Sequence, residues 1–173
     1  MPADQLPCLD LLEATPAILR GLMTEISDED ARWKPAADRF SIAEVLSHLS
    51  HSEWHCYRAR VDRFLSEEMP ELEPDDAQMH LEVYKNADPE EAFAHFEDQR
   101  ETNLELLRRL PAVAGDRKAL HRAAGEITLS QMLYEWALHD LGHIRPFVRL
   151  RRWYEREYLA GAGPLGEDYK LKP

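Results

Sequence analysis

Cysteine is scarce in this chain: 173 residues contain only Cys8 and Cys56. Two cysteines without framework spacing exclude a disulfide scaffold and fit a reducing compartment. Long apolar runs are missing too, and no stretch approaches the ~18 residues of a membrane span. The first residues, Met1-Pro-Ala-Asp-Gln5, carry neither the basic nor the apolar region of a secretory signal. A cytoplasmic protein without a membrane partner is expected. Positive charge is also in deficit. With 21 Lys and Arg against 33 Asp and Glu, the formal net charge is −12, which argues against nucleic-acid binding through phosphates. The basic stretch Arg145, Arg149, Arg151, Arg152 and Arg156 reads as solvated cations near a helix C-terminus.

Strand alternation is absent, and the periodicity is helical nearly throughout. A first helix is expected from Cys8 to about Met23, with Leu9, Leu12, Ile18, Leu19 and Leu22 on its apolar side. Pro16 should kink it or mark a fresh start. Ser27-Asp-Glu-Asp30 can open a short turn before Trp33-Lys-Pro35. Ser41-Ile-Ala-Glu44 is a capping box, and the second helix should reach about Leu65. An acidic, proline-broken connection, 67–76, then leads to a short element near Ala77 to Tyr84. Asp88-Pro89-Glu90-Glu91 supplies an N-cap, a proline at N1 and an acidic first turn for a third helix. Thr128-Leu-Ser-Gln131 opens a fourth toward Leu159, and an irregular tail follows from about 160. These features predict one all-α domain over 1–173, a four-helix bundle with a long crossover connection between helices 2 and 3.

The chemistry-bearing residues are histidines. His139 and His143 are spaced i, i+4 on the fourth helix and point the same way. His48 lies at the edge of the apolar face of the second helix and can complete a facial three-ligand metal site. His51 and His55 fall on the polar side, and His80, His95 and His121 read as surface residues. Glu53 and Asp140 fall in the middle of buried faces and need partners. Asp140 either orients a ligand imidazole from behind or joins a structural ion pair with an arginine such as Arg60 or Arg145. Pro146 predicts a kink just beyond His143. Cys56 reads as a small buried hydrophobe, and the four tryptophans as core or edge. Leu138 and Leu141 lie off the core-facing stripe and suit a dimer surface.

Trp33-Lys-Pro35, Phe40-Ser-Ile-Ala-Glu-Val-Leu-Ser-His-Leu49, and Thr128 through His139-Asp-Leu-Gly-His143 together resemble the DinB-like superfamily, four-helix metalloproteins that include the YfiT-type proteins. The resemblance covers nearly the whole chain. It implies metal ligation by His48, His139 and His143, a divalent ion (usually zinc or nickel), and frequently a homodimer. Family activities include S-transfer with a low-molecular-weight thiol, mycothiol or bacillithiol, and related metal-dependent hydrolase or isomerase chemistry. The expectation is therefore a metal-dependent transferase acting on a small-molecule substrate with such a thiol. Hydrolysis of small amides or esters is the alternative, and a non-catalytic metal-binding interaction module a third. The His139-Asp140 dipeptide alone suggests a phosphohydrolase, without a further acidic ligand to support it.

Overall fold

The computed structural model describes residues 5–34, 39–74, 84 and 86–154. Four long helical spans dominate. The first, α1, is Leu9–Met23, followed by the short α2, Asp28–Arg32. The second span begins as α3, Ile42–His51, passes through a π-helical turn, Ser52–Arg58, and ends as α4, Ala59–Ser66. The third is α5, Pro89–Arg109, and the fourth α6, Leu129–Tyr154. Both α1 and α3 pack against α5 and α6.

The start signals act as their chemistry requires. The Ser41 hydroxyl accepts from the Glu44 amide at 3.1 Å, while the Glu44 carboxylate accepts from the Ser41 amide at 2.8 Å. Thr128 and Gln131 exchange the same pair of bonds at 2.8 and 3.2 Å. Asp88 accepts from the Glu91 amide with Pro89 at the first helical position. These contacts occupy amides that a helix start leaves without intrahelical partners.

Several expectations need correction. Of the two readings of Pro16, a kink or a fresh start, the fresh start does not occur, because α1 runs through it. Ile18, expected on the apolar side, is exposed, because the buried row is Leu9, Leu12, Thr15 and Leu19. A three-stranded sheet is present: β1, Glu71–Leu72, lies parallel to β2, Lys118–His121, which pairs antiparallel with β3, Gly125–Thr128. Strands of two to four residues are too short to show a period of two. Gly125, at φ 78°, takes the left-handed conformation that closes the hairpin. Helix α6 runs through Pro146, where the sequence predicts a kink and not an end. The short element expected near Ala77, except for Tyr84, and the tail from 160 lie outside the described residues, as does much of the 67–88 connection.

The buried side chains form two apolar clusters. One contains Leu12, Phe64, Leu107, Leu133 and Trp136; the other contains Leu19, Leu46, Phe93, Phe96 and Phe147. Every long span crosses from one to the other at a buried polar residue: Thr15, Glu53, Arg100 and Asp140. This polar belt positions the site.

Candidate metal centre

Arg100 holds the belt together. It is 1% exposed. Its Nε and Nη2 donate to the two Glu53 oxygens at 2.8 and 2.7 Å, and Nη2 also donates to Asp140 Oδ2 at 2.7 Å. Its Nη1 donates to the Leu12 carbonyl at 2.6 Å. That acceptor is open because Pro16, four residues on, has no amide hydrogen to give it. Asn103 Nδ2 and Trp136 Nε1 donate to the Glu53 carboxylate at 3.0 and 3.1 Å. Burial works against the Arg100 cation, but Glu53 and then Asp140 outweigh it and raise its pKa. The buried ion partner of both carboxyl groups is therefore Arg100. It is neither Arg60, which donates to the Glu73 carbonyl at 2.8 Å, nor the exposed Arg145.

Beside the belt the three histidines meet. One ring nitrogen from each of His48, His139 and His143 lies within 4.8 Å of the others. His48 Nε2 and His139 Nε2 are 3.0 Å apart, and the His48 and His143 ring centroids 4.5 Å. Two nitrogens bound to one ion at about 2.0–2.1 Å stand roughly 2.9–3.4 Å apart for right-angled to tetrahedral geometry, and the His48–His139 pair fits that range. The His48 Nδ1 lies 3.3 Å from the Tyr84 hydroxyl. Buried Nδ1 atoms of His139 and His143 have no hydrogen-bond partner; that of His139 is 3.5 Å from Asp140 Oδ1. Burial, then His139, pushes the His143 pKa down to about 4 against the opposing pull of Asp140. It is therefore neutral at physiological pH, the form that binds metals. One guanidinium against two carboxyl groups leaves a formal charge of −1 at the belt. A cation among the three imidazoles offsets it, so the donor set and the charge both suit a divalent ion.

The remaining residues sort as follows. His51 is half-buried and stacks on the exposed His55 at 4.6 Å, outside the cluster. His95 is exposed. His121 is half-buried, and its Nδ1 accepts from the Ala123 and Ala124 amides. His80 lies outside the described residues. Cys56 is buried, Trp136 is core, and Trp33 and Trp54 are exposed. Glu53 reaches the cluster through Arg100 and Asp140. Sequence reasoning missed Arg100, Tyr84 and Ser52. Arg100 interrupts the apolar row Phe93, Phe96, Leu104, Leu107 at helical spacing, the same signal that singled out Glu53. Tyr84 had no comparable signal.

A cavity of about 520 Å³ has His139 in its wall. A larger one, about 610 Å³, lies between α1, α2 and the start of α5 and touches none of the three histidines.

The sequence profile of the DinB superfamily matches residues 11–145. Among solved structures the chain is similar to YfiT from Bacillus subtilis, described as a probable metal-dependent hydrolase with an unusual four-helix bundle topology. The two share 27% identity over 84% of this chain and 85% of that one, with a TM-score of 0.73. No curated protein matches the sequence significantly. On the match across most of its length, this chain belongs to the DinB superfamily.

Proposed function

We propose that the protein is a metal-dependent hydrolase of small amides or esters, with a divalent ion, zinc or nickel, held by His48, His139 and His143. The observation that carries this reading is the convergence of three ring nitrogens from two helices within 4.8 Å. The description of YfiT as a probable metal-dependent hydrolase supports it. When bound, such an ion polarises a carbonyl and acidifies water. The chain's own part is orientation. Asp140, fixed by Arg100, faces the Nδ1 side of His139, which favours a proton there and leaves the Nε2 lone pair toward His48. Tyr84 braces the far side of His48.

Metal content by mass spectrometry on untagged protein, beside His48→Ala, tests the site. Near-stoichiometric divalent metal that the variant loses is expected. Metal-free wild-type protein that resists reconstitution leaves a helical interaction module instead. Family resemblance also supports S-transfer with bacillithiol or mycothiol at the same centre. Turnover of an ester without added thiol decides for hydrolysis. We further assign the protein to the cytoplasm and to a homodimer through exposed Leu138 and Leu141 on α6; sedimentation tests the latter.

A further inference from the structure

The cavity beside His139 is built from three parts of the chain. The π turn contributes Ser52 and Tyr57, the sheet Leu72 and Ile127, and α6 Met132 and His139. Its volume, about 520 Å³, is that of a small-molecule site. The wall is apolar at Tyr57, Leu72, Ile127 and Met132, and the half-buried Arg60 and His121 join the exposed Gln131 and Glu135 as its polar side chains. Two residues of the wall carry a buried polar atom without a hydrogen-bond partner, His139 at its Nδ1 and Ser52 at its hydroxyl. Ser52 is 2% exposed, and its buried hydroxyl has no hydrogen-bond partner. A helical serine often donates to the carbonyl four residues back; here that residue is His48, and the bond is not made. A buried hydroxyl left unpaired is a standing penalty that invites a missing partner. Ser52 also follows His48 by four residues, so the two side chains share one face of the span. π turns of this kind are frequent at functional sites.

We propose that this cavity is the substrate pocket and that it takes a small carboxylic amide or ester with an uncharged alkyl or aryl body. The body lies against Tyr57, Ile127 and Met132, and the Ser52 hydroxyl donates to an oxygen of the carbonyl group placed beside His139. This rests on the metal-dependent reading above.

The test titrates zinc-loaded protein calorimetrically with acetohydroxamate and hexanohydroxamate, which share a chelating head and differ by four methylenes. Hexanohydroxamate should bind at least tenfold more tightly, the ceiling being roughly fourfold per buried methylene. Ile127→Trp should abolish that preference while leaving acetohydroxamate affinity intact. Ala124→Trp, at an exposed position of the cavity wall, repeats the test if β3 does not tolerate the bulk. Ser52→Ala should weaken acetohydroxamate binding without lowering the Tm of the metal-free protein, whereas a merely structural serine would lower it. Equal affinities for the two probes, or a preference that survives both tryptophan variants, overturns the pocket and leaves the metal site standing. Failure of both probes to bind at all removes the metal reading, and the pocket with it.

Discussion

Replacing Arg100 by methionine, which keeps length and removes charge, should be among the most damaging single substitutions in the interior. The wild-type side chain is 1% exposed and donates to Glu53, Asp140 and the Leu12 carbonyl. Removing one member of a buried ion pair leaves uncompensated charge and costs roughly 3–5 kcal/mol. The Leu12 carbonyl, which Pro16 cannot serve, adds about 1–3 kcal/mol as an unpaired buried acceptor. Their sum, about 4–8 kcal/mol, approaches the whole stability of an ordinary domain, roughly 5–15 kcal/mol. At ~2–4 °C per kcal/mol the Tm should fall by about 8–32 °C. Urea unfolding followed by far-UV circular dichroism measures it on metal-free protein. Should Arg100→Met not fold, the triple variant Arg100→Met, Glu53→Gln, Asp140→Asn removes the stranded charges and should recover a folded bundle. A loss below about 1 kcal/mol for the single variant would refute the ionic belt as a structural keystone.

Three further expectations follow from the same geometry. Asp140→Asn should weaken metal binding by roughly 10–100-fold while helicity is kept; chelator competition measures it, and unchanged affinity removes Asp140 from the site. The His143 pKa, about 4 in the fold, lies below the ordinary value of about 6.5. On acidification the unfolded chain therefore takes up the proton first, and the metal-free protein loses stability from about pH 6.5 down to about pH 4. His143→Gln should show a smaller loss over that window in urea midpoints, and an identical loss sinks the assignment. Pro16→Ala should gain well under the ~3 kcal/mol usual for removing an interior helix proline, because the carbonyl the proline frees already binds Arg100. A Tm rise of about 6 °C or more would contradict this.

The bundle and its three histidines were legible because their signals are local. Ser41, Asp88 and Thr128 announce helix starts by side-chain chemistry within one turn, and an i, i+4 histidine pair is visible on any wheel. The π turn left no such mark. A wheel with a constant step still places Glu53, Cys56 and Phe64 inward, as found, so periodicity alone carries no trace of the insertion. Arg100 was hidden for another reason. Its spacing is legible, but the carboxyl groups that accept it sit 47 and 40 positions away, and only tertiary packing selects it over Arg60 or Arg145. Tyr84 reaches His48 from the far side of an acidic connection with no regular period.

The polar belt divides labour as well as volume. The buried apolar residues of the substrate pocket, Cys56, Tyr57, Leu72 and Met132, belong to one of the two clusters, and Ile127 packs against it. Leu19, Phe93 and Phe147, on the other side, contribute nothing to that wall. A change of side chain in the second compartment alters how firmly the helices hold together, and its effect should add independently to one made across the belt. Substrate preference can thus drift in one half of the bundle while losses of stability are repaired in the other.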